Sequence, residues 1–179
     1  MTNSIFNSDE KPFGEVDTET AEEYLSGYHQ PGEFIEGLSK EDVTQLLGPL
    51  IYESIKVFKR HLEVNQDVAT LFIQPLDPWE TWDDEKAINK IYFEYRVQAM
   101  QYNDYRGLAE INLKYPRLNI FINNSGRLCF AMYLPVLGVT IEHIQEVLRD
   151  YLRDINSAVK NAELILNKPA LYIGTSNAH

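Results

Sequence analysis

Residues 102–155 read YNDYRGLAEINLKYPRLNIFINNSGRLCFAMYLPVLGVTIEHIQEVLRDYLRDI, and the reading of this stretch decides the fold. Asn103 carries a side-chain oxygen suited to accept from the free backbone N–H groups that open a helix. Leu108, Ile111 and Tyr115 then recur at helical spacing. Pro116 ends that helix, because it has no N–H to donate and restricts the residue before it. Leu118, Ile120 and Ile122 next alternate with Arg117, Asn119, Phe121 and Asn123. Beyond Asn124-Ser125-Gly126, Leu128, Phe130, Met132 and Leu134 alternate with Cys129, Ala131 and Tyr133. Two runs of period two around a Gly-containing turn predict a β-hairpin. Pro135 closes the second strand, and Thr140 is suited to cap a long last helix. Helix, hairpin, helix is the predicted nucleus.

Working outward, Lys90–Met100 is the strongest strand pattern. Ile91, Phe93, Tyr95, Val97 and Ala99 share one face, and Tyr92, Glu94, Arg96, Gln98 and Met100 the other. One face then packs on a core and the other is wetter. Val68–Gln74 is a shorter apolar strand stopped by Pro75. Earlier, Ser39 is suited to cap a helix, with Glu41 and Asp42 favourable near its positive end. Val43, Leu46, Leu47, Leu50, Ile51, Ile55, Phe58 and Leu62 continue a helical apolar stripe. Gly48-Pro49 interrupts it, so the stripe predicts a kink, or a short helix and then a longer one starting at Pro49. The fold class is therefore α+β: an antiparallel sheet with helices on one face, in the order α-β-β(-β)-α-β-β-α.

In the last helix Ile141, Ile144, Leu148, Tyr151, Ile155, Ala158, Ala162 and Ile165 form a seam spaced by three and four. With Val147, Leu152, Val159 and Leu166 beside it, the apolar arc is about 140° wide. That width suits a helix laid across its own sheet. A helix this long also outreaches short strands beyond Ile155, which favours a second use in a homodimer. Between the strands, DPWETWDDEK clusters acids beside Trp79 and Trp82. It lacks the alternate ligands, central glycine and terminal glutamate of a calcium loop, so the expectation is a solvated loop with tryptophans folded back on the core. Exposed, the same tryptophans would be interface anchors. The candidate partner or dimer contacts are thus Trp79, Trp82, Tyr151, Ile155, Ala158, Ala162 and Ile165.

Acidic residues crowd Met1–Leu38 against Lys11 alone, with Phe6, Phe13, Tyr24, Leu25, Tyr28, Phe34 and Ile35 interspersed. This composition fits a solvating tail, with a partner-binding or self-docking segment as the other reading and a short helix expected near Thr20–Ser26. The chain divides into an acidic segment 1–38, a single domain 39–168 and a tail 169–179. The formal net charge of −11 repels phosphate backbones and argues against nucleic-acid binding. Cys129, the one cysteine, cannot form an internal disulfide and points away from an oxidising compartment. The opening residues lack a basic and apolar leader pattern, and no apolar run is long enough to span a bilayer. A cytoplasmic protein without membrane insertion is expected.

Chemistry is not visible. No Gly-rich phosphate loop or G-x-S-x-G elbow occurs, and His29, His61, His143 and His179 form no metal-ligand pair. The sequence therefore predicts no catalytic, cofactor-binding or metal residues, no cofactor and no enzyme.

Asn112 and Pro116 before the hairpin, Gly126 in its turn, Leu134-Pro135 at the strand end and Gly138-Val139-Thr140 before the last helix carry a resemblance. In these positions the chain resembles the YbjN-domain family, whose fold is like that of type III secretion chaperones. The resemblance covers about a third of the chain and rests on soft, structural positions. It implies a chaperone-like or regulatory adaptor, homodimeric, gripping a segment of another protein. Two features depart from the family pattern. An acidic segment precedes Ser39, and two clear strands rather than three precede Asn103, the third being either the WETW piece or absent. No binding residue is carried over. A small-molecule sensor or enzyme, with Tyr92, Arg96 and Tyr133 lining a pocket between sheet and helices, is the alternative. An acidic mimic of nucleic acid, binding a basic protein, is the weaker one.

Overall fold

The computed structural model describes residues 32–166, apart from 52, 67–68, 78, 83–85 and 102–105. The expectations for residues 1–31, for the Asn103 cap and for the tail 169–179 lie outside the described residues.

Among the described residues, three helices and eight strands follow one another: β1 (Phe34–Ile35), α1 (Lys40–Leu47), β2 (Ile55–Val57), β3 (Leu62–Asn65), β4 (Ala69–Pro75), β5 (Lys90–Gln101), α2 (Arg106–Lys114), β6 (Asn119–Ile122), β7 (Arg127–Pro135), β8 (Val139–Thr140) and α3 (Ile141–Leu166). Six of the strands form one antiparallel sheet, in the order β2-β3-β4-β5-β7-β6, while β1 and β8 pair separately. The class is α+β.

The predicted nucleus stands where the alternation puts it. In the β6–β7 turn, Asn123 Oδ1 accepts from the backbone N–H groups of Ser125 and Arg127, and Gly126 takes φ 74°. A three-residue hairpin loop needs a residue with positive φ at that point, which a glycine supplies without steric cost. Ser39 and Asp42 form a reciprocal capping box at the start of α1, the Ser39 Oγ accepting from Asp42 N–H and the Asp42 carboxylate accepting from Ser39 N–H. At the start of α3, Thr140 Oγ1 accepts from the His143 N–H.

One expectation fails. The helix predicted from Pro49 through Leu62 is a single 3₁₀ turn, Gly48–Leu50, followed by the β2–β3 hairpin. The apolar residues of this stretch satisfy two periods at once: 51, 55, 58 and 62 read as helix, but 55, 57 and 62, 64 read as strand. Ile55, Val57 and Val64 are β-branched, which costs side-chain freedom in a helix and little in a strand. What decides is β4, whose Ile73 and Leu71 pair with Leu62 and Val64 and bury both completely. Four sheet strands therefore separate α1 from α2, where two or three were expected. The WETW piece is not one of them: Trp79–Glu80 lies in a turn and Thr81–Trp82 runs without regular structure.

The core lies on one face of the sheet. Ile91, Phe93, Tyr95 and Val97 of β5 point into it with Phe130 and Leu134 of β7, Val43, Leu46 and Leu47 of α1, and the inner stripe of α3. Tyr151 of α3 meets Phe93 edge-on, with centroids 5.8 Å apart, and its hydroxyl donates to the Phe130 carbonyl at 3.1 Å. Residues 34–38, which composition groups with the acidic segment, belong to the fold: Ile35 and Leu38 are buried, and Leu38 bridges Ile88 through two backbone hydrogen bonds. Gly37 permits that approach, since a Cβ there would stand 2.9 Å from the Ile88 carbonyl oxygen.

Candidate interaction surface

The period of two that fills the core also builds a second face, turned away from α3. Registered side by side on it are Glu63 of β3, Phe72 of β4, Glu94 of β5, Ala131 of β7 and Asn119 of β6. The next row holds Thr70, Arg96, Cys129 and Phe121. Glu94 is buried here despite its charge, and its partners explain why. One carboxylate oxygen accepts from the Arg96 Nε, the other from the Tyr92 hydroxyl at 3.0 Å. The Arg96 guanidinium lies 3.8 Å over the Phe72 ring. Farther along, His61 stacks flat on Phe58 at 4.7 Å and pairs with Glu63 at 2.9 Å.

Electrostatics follow from this packing. Burial, and then the Glu94 charge and hydrogen bond, hold the Tyr92 phenol well above its ordinary range. Burial, again with Glu94 beside it, pushes the Cys129 thiol up to about 12. A thiol held protonated and covered has little nucleophilic character. Among the described residues, no three His, Cys, Asp or Glu side chains gather where they could hold a metal ion.

At one end of this face the surface dips into a recess of about 340 Å³. Leu76, Tyr92, Ala131 and Tyr133 line it together with the Pro116–Asn119 turn. Its rim is apolar and open to water, Tyr133 being 62% exposed and Leu76 41%. Trp79, three residues after Leu76 on the same loop, is 88% exposed, its N–H held by its neighbour Asp77 at 2.9 Å. Arg117 is turned to the helix layer, where it pairs with Asp150 of α3.

The seven residues singled out from sequence separate sharply in space. Trp82 is fully buried and donates its indole N–H to the Leu38 carbonyl at 3.3 Å. Tyr151, Ile155, Ala158 and Ala162 are buried within this one chain, and Ile165 is half-buried against the same core. Of the seven, Trp79 alone stands fully open. The residues around the recess went unrecognised as a group because they come from four separate segments. The one local signal was the outward phase of Tyr92 and Tyr133 in their strands. Tyr92, Arg96 and Tyr133 do share a face, but it is the face away from α3 rather than a pocket between sheet and helices.

No protein-family model matches the chain, and no curated protein and no solved structure matches it either.

Proposed function

We propose that this protein is a non-enzymatic, protein-binding adaptor, chaperone-like or regulatory, that receives a segment of another protein at the recess. The observation that carries the reading is the exposed pair Leu76 and Tyr133 on the rim of the recess, with exposed Trp79 three residues farther along the loop. Large aromatic side chains left in water, beside a concave surface with paired charges behind it, have the composition of an interface anchor. Membership of the YbjN-domain family, with its chaperone-like strand and helix order, belongs to the same proposal, as do the cytoplasmic location and the homodimer. The homodimer is tested by sedimentation of the full chain, where a monomer over a wide concentration range overturns it.

The adaptor reading is tested by placing a photo-crosslinking aromatic residue at Tyr133 in the source cells, with exposed Glu110 on α2 as the control position. One dominant protein adduct at Tyr133 and none at Glu110 is expected. Equal or absent adducts at the two positions overturn it. The volume of the recess, at the small end of the range for ligand cavities, favours a small-molecule sensor as the second reading. A metabolite that raises the melting temperature, with the rise lost in Tyr133→Ser, would decide for it.

A further inference from the structure

The two edges of the six-stranded sheet are finished differently. On β6 the side-chain amide of Asn112 bonds both backbone groups of Ile120, so that edge is covered at its centre. At the opposite edge no described residue pairs with the outer side of β2. The Phe58 N–H donates to the His61 carbonyl inside the hairpin. Alternation along an antiparallel ladder then turns the N–H and C=O groups of Ile55 and Val57 outward. Four main-chain groups are thus presented in line.

The side chains around this edge are unusual for the chain. Lys56, Lys59 and Arg60 are all exposed, three of sixteen lysines and arginines within five residues of a protein of net charge −11. Val57 and Phe58 between them are 55% and 42% exposed. The acid nearest in register, Glu63 opposite Lys56, is engaged with His61. The turn is held firm from beneath. Buried Lys40 donates its Nζ to the carbonyls of Phe58 at 3.0 Å and Lys59 at 3.3 Å, and Phe58 is stacked on His61. A lysine on a short edge ordinarily deters strand pairing. Three cations around one edge instead discriminate, repelling basic strands and attracting acidic ones.

We propose that β2 is a docking edge for a short, extended, acidic segment of a partner protein, which adds to the sheet as a further strand. Main-chain hydrogen bonds to Ile55 and Val57 hold it, and Lys56, Lys59 and Arg60 select its charge. The site is separate from the recess, so the inference depends on the adaptor reading only in taking the partner to be a protein.

The test uses the full chain and a fluorescein-labelled peptide of alternating Glu and Thr, followed by anisotropy at low salt and by amide shifts in NMR. A peptide with Lys in place of Glu is the control. The acidic peptide is expected to bind and to move the Ile55 and Val57 amides, while the basic one does not. The double variant Lys59→Glu/Arg60→Glu is expected to weaken binding roughly tenfold, as loss of charge complementarity does. Val57→Pro removes an outward N–H that the protein's own ladder does not use, and is expected to weaken binding with every charge retained. Tyr133→Ser is expected to leave peptide binding unchanged, which keeps a failure at the recess distinct from a failure at the β2 edge. Equal binding by the basic peptide, unaltered affinity in both edge variants, or shifts centred on the recess would each overturn the proposal. Full-length protein with the acids of residues 1–31 changed to amides separates the source of the strand. A severalfold tighter binding there would assign the edge to the chain's own acidic segment and overturn the partner.

Discussion

Asn112 of α2 gives β6 the partner that a seventh strand would otherwise provide: its Oδ1 accepts from the Ile120 N–H at 2.9 Å, and its Nδ2 donates to the Ile120 carbonyl at 2.8 Å. The same Nδ2 lies 3.0 Å from the Leu108 carbonyl one turn back in its own helix. One amide thus fixes the helix to the strand and covers an edge that would pair with other chains. Asn112→Ala is expected to lower stability by about 1–3 kcal/mol, the cost of leaving buried backbone groups unmet. It should also increase aggregation. Asn112→Asp should recover part of the loss at most, since a carboxylate accepts from the N–H but cannot donate to the carbonyl. Urea unfolding of the three proteins gives the comparison, and equal midpoints would show that the clamp contributes nothing.

The close approach at Gly37 gives a spectroscopic prediction. A methyl group there meets the Ile88 carbonyl, whose partner Leu38 also accepts from the Trp82 indole. Gly37→Ala is expected to cost about 1–3 kcal/mol, as overpacking does. In a Trp79→Phe background, where Trp82 is the one tryptophan left, its emission should move to longer wavelength. An unchanged spectrum would mean that the segment yields without disturbing Trp82.

Glu94 and Arg96 should behave as a unit. Arg96→Met leaves a buried carboxylate with the Tyr92 hydroxyl and the Cys129 thiol but no cation, and is expected to cost about 1–3 kcal/mol, with Arg96 partly in water. Glu94→Gln/Arg96→Met removes both charges, and its loss should be smaller than the sum of the two single losses. Additive losses in denaturant unfolding would show the pair to be uncoupled.

Cys129 links the same face to pH. Its thiol is raised to about 12 in the fold against about 8.5 in an unfolded chain. A raised pKa favours the protonated form, so this contribution to stability is complete below about pH 8.5 and is lost as pH climbs toward 12. The buried Tyr95 phenol and the half-buried Tyr92 phenol, raised in the same direction by burial first, add to the loss at still higher pH. Cys129→Ala is expected to flatten the alkaline limb of stability against pH. In the native protein at pH 8 the thiol should react with a disulfide reagent far more slowly than in denaturant. Equal rates in the two states would show it to be accessible.

Much of the scaffold was legible because local chemistry and tertiary demand agree. The Ser39 and Thr140 caps, the Pro116 stop, the Asn123–Gly126 turn and the phases of β5 and β7 each rest on residues adjacent in sequence. The β2–β3 hairpin was illegible for the opposite reason, as its apolar spacing serves two periods and its partner strand lies several residues farther on. The recess was harder still, since Leu76, Tyr92, Pro116 and Tyr133 meet only once four segments are laid together.

The sequence by itself determined the α+β class, the hairpin nucleus and the faces taken by the residues of β5, β6 and β7, because periodicity and turn chemistry are local properties. Tertiary structure alone decided what remains at the surface. It drew Trp82, Tyr151, Ile155, Ala158 and Ala162 into the core, left Trp79 and Tyr133 in water, covered one sheet edge at its centre with Asn112 and left the other, at β2, without a described partner. Burial is a property of contacts between distant segments, and an apolar side chain reads the same in sequence whether its own chain covers it or leaves it open.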